Sequence, residues 1–592
     1  MTRDAILDQL HTTFGFSAFR GVQEQVIARV LGGQSTLAIM PTGAGKSLTY
    51  QLPAVMLAGT CVVVSPLIAL MHDQLRAATA NGIRAATLTS ADLDRAETIE
   101  RFRSGALDLL YVAPERASQP HFREMLGSAP LSLFAIDEAH CVSEWGHDFR
   151  PDYRLLRPLM DAFPAVPRLA LTATADRHTR ADILTQLGIG EDGLIVAGFD
   201  RPNIRYAIRH RDSLLQQLKT LMAEQPGPGI VYAPTRKKVE ELAEKLGAAT
   251  GRPVLPYHAG LDPQVRSANQ AAFVASEDMV MVATVAFGMG IDKPDVRFVA
   301  HAGIPKSIEG YYQETGRAGR DGDQAVALML WAAEDFARAR MRLAEVEEHR
   351  QPGERARLDA LAALVETGAC RRAILLRHFG EDPPQTCGNC DNCLDAPGIV
   401  DATELARKLL SAVYRTGQTY GFGHVEKVLL GQEDERVLAR GHDRLSVFGI
   451  VGSDEAPLLK PLMRALQARG SLVPTEHGGL ALGGDARDVL KGEAAVLIAL
   501  QPSRERAGRG GRRDRGAINP VGNPLFDALR ELRRSLAAEA GVPPYVIFHD
   551  ATLREMAETR PASLAQLGEV GGVGSRKLAA YGEAFLATIR RY

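Results

Sequence analysis

The sequence is poor in the features that mark secreted and membrane proteins. Only six of its 592 residues are cysteine, which is too few for the disulfide framework of a secreted protein. No apolar run reaches the ~18 uninterrupted residues of a membrane-spanning helix, and Asp4 and Asp8 interrupt the start, where a signal peptide would be apolar. These absences predict a chain that acts in the reducing cytoplasm and spans no membrane.

The chain also lacks an excess of charge of either sign. Its 69 lysines and arginines nearly balance 71 aspartates and glutamates, which gives a formal net charge of −2. The molecule therefore has no cationic field to draw it as a whole onto nucleic acid, so any such binding must come from local patches. A length of 592 residues exceeds one hydrophobic core, and ~150 residues per domain predicts about four units.

Short apolar runs alternate with amphipathic stretches through the first part of the chain. Runs such as Thr36–Met40 and Leu133–Asp137 recur within residues 1–208, and the pattern restarts after Pro226–Gly229 within residues 209–340. This alternation predicts the α/β class, with two parallel sheets wrapped by helices in tandem lobes. The remaining predicted units are a helical unit with clustered cysteines (341–398), a unit of helices and a strand–turn–strand (399–501), a Gly/Arg-rich linker (502–522) and a small all-helical unit (523–592).

A glycine-rich phosphate-binding pattern follows the first of these runs. Glycines let backbone amides approach phosphates, the following helix adds positive potential at its N-terminus, Lys46 reaches the terminal phosphates and Ser47 can ligate Mg²⁺. Met40 stands where the strict pattern has glycine, so the match is to a variant, and plain turn glycines are the alternative. The predicted nucleotide contacts in this loop are Thr42, Gly43, Gly45, Lys46 and Ser47.

Two acidic residues follow another apolar run, at the carboxyl end of a predicted strand. Ligands of open α/β sheets bind at such ends. Asp137 is predicted to hold Mg²⁺ together with Ser47, and Glu138 to orient or deprotonate the water that attacks the γ-phosphate. A solvated acidic turn is the alternative.

In the second lobe, Arg317 and Arg320 lie three residues apart among small residues. A planar, bidentate cation suits the charge that develops on a transferring γ-phosphate. Both arginines are therefore predicted to act catalytically from across the lobe interface, which would make lobe closure depend on bound nucleotide. A solvated arginine-rich loop is the alternative.

Four of the six cysteines form a metal-ligand pattern. Sixteen residues separate the first two, and two Cys-x-x-Cys steps follow. Four thiolates with no open coordination position are typical of a structural zinc site. Two disulfides are one alternative, although the overlapping pairs would strain them, and an iron–sulfur cluster is another. The predicted ligands are Cys370, Cys387, Cys390 and Cys393.

The segment that follows the acidic pair combines aromatic and basic residues, including one of only two tryptophans. Such a mixture suits stacking on unpaired bases with contact to phosphate. A tryptophan packed in the core beneath a loop is the alternative. The predicted nucleic-acid contacts of this aromatic loop are Trp145, His147, Phe149 and Arg150.

Taken in order, these motifs resemble those of the RecQ family, helicases of superfamily 2, over essentially the full chain. The segment Leu10–Gln23 resembles the family's adenine-recognition motif. The resemblance implies that Gln23 bonds the base and that Phe16 and Arg20 flank it, although relatives often carry tyrosine in place of Phe16. It further implies that the aromatic loop senses single-stranded DNA and that Ser65 and Arg116 contact DNA.

The resemblance also identifies the predicted units as two RecA-like lobes, a zinc domain, a winged helix and an HRDC domain. The hairpin around His477 would be the wing. In the HRDC-like unit, a glycine-rich turn followed by Arg576 and Lys577 suits auxiliary phosphate binding, with docking to a protein or to another domain as the alternative. The implied cofactors are ATP, Mg²⁺ and Zn²⁺.

The function implied is an ATP-dependent 3′–5′ DNA helicase that translocates on single-stranded DNA and unwinds duplex, forked or recombination-intermediate DNA. The motor motifs alone also permit an ATP-dependent DNA-binding switch, a duplex translocase without strand separation, or an RNA helicase. The resemblance further implies a nucleoid-associated monomer that acts in repair, recombination and the SOS response. Its implied protein partners are a single-stranded-DNA-binding protein and a topoisomerase.

Overall fold

The computed structural model describes residues 2–89, 92, 94–143, 150–287, 293–475, 479–500 and 523–592. Several predicted features lie outside these residues. They are Trp145, His147 and Phe149 of the aromatic loop, the tip of the predicted wing at His477, and the predicted linker 502–522.

The first lobe is built on one parallel sheet. Its strands are β1 (Thr36–Ile39), β2 (Thr60–Val64), β3 (Ala85–Leu88), β4 (Leu109–Val112), β5 (Leu131–Ile136), β6 (Arg168–Thr172) and β7 (Leu194–Val196). They are arranged in the order β3-β4-β2-β5-β6-β1-β7, and every pair is parallel. Because β2, β5, β6 and β1 are neighbours and point the same way, the residues that follow them meet at one edge of the sheet.

Helices cover both faces of this sheet, and the central strands are therefore apolar and buried along their length. The helices are α1 (Arg3–Phe14), α2 (Gln23–Leu31), α3 (Leu48–Met56), α4 (Ile68–Ala80), α5 (Arg95–Arg103), α6 (Pro114–Ala117), α7 (Pro120–Leu126), α8 (Pro151–Arg154), α9 (Leu156–Asp161) and α10 (Arg177–Leu187).

The second lobe repeats this architecture. Its strands are β8 (Ile204–His210), β9 (Gly229–Tyr232), β10 (Val254–Tyr257), β11 (Val280–Ala283), β12 (Phe298–His301) and β13 (Ala325–Trp331). They form a parallel sheet in the order β10-β11-β9-β12-β13-β8, packed against α11 (Leu214–Glu224), α12 (Arg236–Thr250), α13 (Pro263–Ala275) and α14 (Ile308–Thr315). The predicted tandem α/β lobes are confirmed.

The predicted boundary between residues 208 and 209 falls inside a strand. All seven residues of β8 pair with β13 in the second sheet, so the second lobe begins no later than Ile204. Apolar alternation alone does not show which of two consecutive sheets a strand joins, because that choice depends on its distant partner.

Three smaller units complete the chain. The cysteine unit contains α15 (Ala333–Leu343), α16 (Gln351–Glu366), α17 (Arg371–His378) and α18 (Asp391–Leu394). The next contains β14 (Gly398–Asp401), α19 (Thr403–Arg415), α20 (Phe422–Leu429), α21 (Glu435–Ala439), α22 (Ala456–Arg469), β15 (Leu472–Pro474), β16 (Leu480–Leu482), α23 (Ala486–Lys491) and β17 (Leu497–Leu500). The last contains α24 (Pro524–Ala540), α25 (Pro544–Ile547), α26 (Asp550–Thr559), α27 (Leu564–Gly568) and α28 (Ser575–Ile589).

The predicted strand–turn–strand is an antiparallel hairpin of β15 and β16, and β14 pairs with β17 to close its unit. Two more predicted boundaries cut elements: residue 340 lies within α15, and residue 398 begins β14. The cysteine unit shares a hydrophobic core with β8 and α14 of the second lobe, so it is packed onto the motor rather than tethered to it.

Candidate functional site

The phosphate-binding loop lies between β1 and α3. Gly43 and Gly45 have φ angles of +85° and +73°, which glycine adopts without strain. A Cβ atom on Gly45 would lie 2.4 Å from Nε2 of Gln23, so a side chain has no room there. Lys46 Nζ donates to the carbonyl of Met40 at 3.4 Å, which folds the lysine back over the loop. This cradle at a helix N-terminus fits a chain of phosphates.

The adenine-motif residues brace this loop. Gln23 Nε2 donates to the carbonyl of Ala44 at 2.9 Å, and Gln23 Oε1 accepts from the backbone N–H of Arg20 at 2.9 Å. The Arg20 guanidinium lies 5.9 Å from the centre of the Phe16 ring. The structure thus brings the three predicted base contacts to the edge of the loop, and it adds a bond between Gln23 and the loop backbone that the sequence did not reveal.

The predicted acidic pair follows β5 at the same sheet edge. Glu138 has a φ of +49°, uncommon for a non-glycine residue, and its backbone N–H donates to Oδ1 of Asp137 at 3.0 Å. Burial and the neighbouring Glu138 charge raise the pKa of Asp137 to about 7, while Lys46 acts in the opposite direction. Two crowded carboxylates with little compensating charge fit a hard divalent cation.

A chain of polar side chains runs from this acidic pair to the second lobe. His140 Nδ1 lies 3.4 Å from Oε2 of Glu138 and 2.9 Å from Oγ1 of Thr172. The backbone N–H of Thr174 bonds Thr172 Oγ1 at 3.2 Å, and the Thr174 hydroxyl accepts from Nε2 of Gln313 at 3.1 Å. No local pattern in the sequence indicates that Gln313 meets Thr174, because the two residues are 139 positions apart.

The loop that carries Arg317 and Arg320, which we call the arginine loop, begins after α14 at Gly316 and faces the phosphate-binding loop. A Cβ atom on Gly43 would lie 3.4 Å from Cγ of Arg320, and one on Gly316 would lie 3.3 Å from Cβ of Thr42. Arg317 is 7% exposed. It lies beside Tyr232, whose pKa rises to about 12 through burial although the Arg317 charge opposes the rise. The structure therefore brings the predicted arginines of one lobe against the predicted phosphate site of the other.

The four predicted metal ligands converge. Their sulfur atoms all lie within 4.8 Å of one another, with 3.9 Å between Cys370 and Cys390 and 4.0 Å between Cys387 and Cys393. Disulfide sulfurs would be ~2.05 Å apart. Sulfurs that surround an ion tetrahedrally at ~2.3 Å would be about 3.8 Å apart, so the cluster fits zinc.

The cysteine unit is also bonded to the second lobe. Asp391, between two of the cysteines, accepts from Arg371 Nε at 3.1 Å and from the backbone N–H of Ile208 at 2.8 Å. Metal binding would therefore fix the position of the whole unit on β8.

The structure describes three of the predicted DNA contacts in the first lobe. Arg116 is half-buried. Arg150 donates from Nη1 to the carbonyl of Pro66 at 2.9 Å, which ties the end of the aromatic loop to the segment after β2. Ser65 is 2% exposed and its hydroxyl is enclosed, so the hydroxyl does not face solvent as a DNA contact must. Its place between a buried strand and a buried proline explains the difference.

The predicted phosphate contacts of the C-terminal helical unit face the first lobe. The backbone N–H of Gly572 donates to the carbonyl of Gly15 at 2.9 Å, and Arg576 Nη1 donates to the carbonyl of Thr79 at 3.0 Å. Burial lowers the pKa of Lys577 to about 8. The turn that carries Arg576 and Lys577 is thus used within the molecule, which favours the alternative of docking to another domain, while phosphate binding by the two residues stays a prediction.

The same unit also contacts the second lobe. Arg530, Arg533 and Arg534 approach the carboxylate of Glu277 at 2.9, 3.3 and 2.8 Å, and Arg554 pairs with Asp323. Asp323 lies three residues beyond Arg320. The helical unit therefore bridges the two lobes beside the cleft between the phosphate-binding loop and the arginine loop. Among the described residues, no helix combines the length and the apolar character that crossing a bilayer requires.

Five sequence families match consecutive parts of the chain, and together they support the predicted order of fold types. The families are the DEAD/DEAH box helicase (residues 20–183), the helicase conserved C-terminal domain (210–322), the RecQ zinc-binding domain (333–394), the RQC domain (396–507) and the HRDC domain (523–589).

Relatives are similar over the full length. An ATP-dependent DNA helicase RecQ of Haemophilus influenzae is 40% identical over 99% of this chain and 96% of its own length. The protein of the same name from Pasteurella multocida is 40% identical over 100% of this chain and 94% of its own. That from Bacillus subtilis is 38% identical over 98% and 97%.

Proposed function

The chain belongs to the RecQ family of ATP-dependent DNA helicases, and from this premise we propose that it moves 3′ to 5′ along single-stranded DNA and unwinds forked or recombination-intermediate duplexes. One observation supports the motor assignment most directly. The phosphate-binding loop, the acidic pair and the arginine loop, which come from two lobes, meet at a single cleft. Such an arrangement makes hydrolysis depend on the closure of the lobes.

In this proposal each residue of the cleft has a separate task. Lys46 and the amides around Gly43 and Gly45 hold the phosphates, and Ser47 and Asp137 hold Mg²⁺. Glu138 orients the attacking water, because it directly follows Asp137 at the end of β5. Bound ATP with Mg²⁺ supplies the free energy of γ-phosphate hydrolysis.

The arginine loop and the adenine motif complete the proposed site. Arg317 and Arg320 stabilise the charge that develops on the γ-phosphate, which explains their position against the phosphate-binding loop. Phe16, Arg20 and Gln23 bind the base. Because Gln23 also bonds the carbonyl of Ala44, base binding would change the contacts of the phosphate-binding loop.

Zinc at the four cysteines has a structural task in this proposal. The ligands leave no open position for chemistry, and Asp391 transmits the fixed geometry to β8. Removal of the metal would release the unit that places the winged helix relative to the motor.

DNA is proposed to enter the motor beside the aromatic loop. Arg150 ties that loop to Pro66, directly after β2, so a base stacked on Trp145 could displace residues at the sheet edge where ATP is hydrolysed. Exposed Arg436, Arg440 and Arg444 give the winged-helix unit cationic side chains suited to duplex phosphate.

A groove in the winged-helix unit supports the proposed interaction with a single-stranded-DNA-binding protein. It has a volume of about 420 Å³, an apolar floor that includes Leu482 and Leu490, and a rim that carries Tyr414, Arg415 and Arg487. An acidic segment with an apolar end would suit it. A topoisomerase partner, a monomeric state and a cytoplasmic, nucleoid-associated role in repair and recombination complete the proposal.

ATP hydrolysis and strand separation, measured side by side, test the proposal. The substrates are a duplex with a 3′ tail, the same duplex with a 5′ tail, and an RNA equivalent. We expect both activities only with the 3′-tailed DNA, and neither in Lys46→Ala, in which the phosphate charge is left uncompensated. Hydrolysis without strand release on any substrate would instead identify a translocase or an ATP-dependent switch.

The proposed DNA sensor has its own test. Trp145→Ala should weaken the stimulation of hydrolysis by single-stranded DNA while basal hydrolysis persists, because only the stacking surface is lost. Equal losses of basal and stimulated rates would argue against a sensing role.

A further inference from the structure

Arg201 lies in the segment that joins the two lobes, between β7 and β8, and belongs to none of the motifs that the sequence brought forward. Within the described ranges its side chain makes four hydrogen bonds, all to main-chain carbonyls. Nη1 donates to Thr42 at 2.7 Å and to Gly316 at 3.1 Å. Nη2 donates to Ala318 and to Gly319, both at 2.9 Å. These distances are typical of well-formed hydrogen bonds.

The four carbonyls belong to two different parts of the cleft. Thr42 is in the phosphate-binding loop of the first lobe, whereas the other three surround Arg317 and directly precede Arg320. One guanidinium therefore fixes the backbone on both sides of one predicted catalytic arginine and links it to the opposite lobe. A planar fork of five N–H donors suits this task, and a lysine ammonium would reproduce it only in part.

Neighbouring residues hold Arg201 and the loop in place. Asn203 Nδ2 donates to the carbonyls of Gly319 and Asp323, each at 2.8 Å. Arg372, on the first helix after Cys370, donates from Nη2 to the carbonyl of Arg201 at 3.2 Å. The connector is thus fixed from the cysteine unit, and its side chains reach forward to the arginine loop.

The positive charge of Arg201 also remains available to attract an anion in the cleft. Among the described residues its guanidinium donates to no carboxylate, so carbonyl dipoles solvate its positive charge without neutralising it. A charge held in this way beside the phosphate-binding loop adds to the potential that an anionic nucleotide meets.

We propose that Arg201 is a positioning residue for ATP hydrolysis, which holds the loop that carries Arg317 and Arg320 against the phosphate-binding loop when the lobes close. The proposal rests on the assignment of the cleft as the ATP site. One bond of Arg201 reaches Thr42 in the first lobe, and the three others hold the arginine loop of the second lobe. Arg201 therefore couples closure to the placement of the two arginines.

Arg201→Ala in the full chain tests this. We expect kcat of DNA-stimulated ATP hydrolysis to fall by about 10- to 100-fold, the usual effect of misplacing catalytic groups by about 1 Å, while KM for ATP changes by less than about twofold. Arg201→Lys keeps the charge but not the planar fork of donors, so its kcat should lie between that of Arg201→Ala and that of the unsubstituted chain. Arg209→Ala, an exposed arginine on β8, is the matched control and should behave as the unsubstituted chain.

A second measurement separates positioning from general structural support. Binding of a fluorescent ADP alone should be retained in Arg201→Ala, whereas the tighter binding of ADP with aluminium fluoride, which mimics the transition state, should be lost. Retained tight binding of the mimic, or a wild-type kcat, would overturn the proposal. Equal weakening of ADP and mimic, with a lower Tm, would also overturn it, because Arg201 would then only stabilise the fold.

Arg320→Ala, measured in parallel, distinguishes the failure of this proposal from that of the assigned site. If Arg320→Ala loses turnover and Arg201→Ala does not, the positioning role alone is wrong. If neither variant loses turnover, the assignment of the arginine loop to ATP hydrolysis is wrong.

Discussion

Two groups of arginines join separate parts of this chain, and their charges are treated differently. At the cleft between the lobes, Arg201 donates only to main-chain carbonyls within the part of the chain that the structure describes. At the C-terminal helical unit, Arg533 and Arg534 donate to the carboxylate of Glu277. Carbonyls hold a guanidinium in position without cancelling its charge, whereas a carboxylate cancels it. The comparison teaches that the arginine beside the proposed nucleotide site is held by neutral groups and keeps its charge, whereas the arginines of the C-terminal junction are held by acids.

The largest expected effect is at the cleft. Arg320→Ala should lower kcat of DNA-stimulated ATP hydrolysis by about 1,000-fold, since an arginine that stabilises the charge on a transferring γ-phosphate contributes that much or more in nucleoside triphosphatases. Its Tm should change little, because the arginine serves a ligand. Steady-state hydrolysis and a thermal melt check both expectations. A lower Tm with an intact kcat would remove the distinction between the two groups.

Arg533 offers the matching experiment at the junction. Its side chain is 4% exposed and lies 2.6 Å from Asp550 and 3.3 Å from Glu277. Breaking such a buried pair costs about 3 kcal/mol, so Arg533→Ala should lower the free energy of local unfolding of the helical unit by that order while kcat is retained.

Native-state hydrogen exchange of residues 523–592 in the full chain measures this loss. Arg534, whose side chain is 51% exposed, provides the control. Its replacement by alanine should cost less than about 1 kcal/mol, as exposed ion pairs do. Equal effects of the two substitutions would show that burial does not set the strength of this junction.

A smaller effect is expected from the acidic side of the junction. Glu277→Ala leaves three arginines facing one another without their common partner, so the helical unit should leave the second lobe more often. We expect exchange of the Gly572 amide, which bonds Gly15 across the other contact of the unit, to accelerate by about tenfold. Glu244→Ala, on an exposed face of α12, should leave that exchange unchanged.

The smallest effect is a dependence of this junction on pH. The arginines around Glu277 lower the pKa of its carboxyl despite its burial, and the same holds for Asp550 beside Arg533. The lowered pKa of Glu277 stabilises the docked state above the ordinary range of about 4, and this contribution is lost as pH falls through the lowered value, whereas the pair of Asp550 and Arg533 stabilises the helical unit itself.

Docking should therefore be complete at neutral pH and weaken below about pH 4. Exchange of the Gly572 amide, corrected for the intrinsic pH dependence of exchange, would show this as a loss of protection toward acid. Glu277→Ala should flatten the profile. A profile that stays the same in the variant would place the titrating group elsewhere.

The sequence allowed prediction wherever a function depends on residues that are close together in the chain. The phosphate-binding loop, the acidic pair, the two arginines and the paired cysteines are short patterns whose chemistry follows from residue type and spacing, and the structure brings each set together. Tandem parallel sheets were predictable for the same reason, because buried strands read as continuous apolar runs.

Other features depend on residues that the fold alone makes neighbours. Arg201 and Thr42 are 159 positions apart, and Gln313 and Thr174 are 139 apart. No local pattern marks Arg201 as different from the other arginines of the chain. The resemblance implied Ser65 as a DNA contact, and only the assembled sheet, in which the strand before it is buried, shows that its side chain is enclosed.

The sequence by itself determined the chemistry of this protein: which residues can hold phosphate, a divalent cation and a thiolate-bound metal, and the order of the units that carry them. Tertiary structure decided the geometry between units, because that geometry arises from hydrogen bonds and ion pairs between distant segments. It set β8 in the second sheet, and it turned the glycine-rich turn before Arg576 toward the first lobe. It also placed one connecting arginine where the two lobes meet.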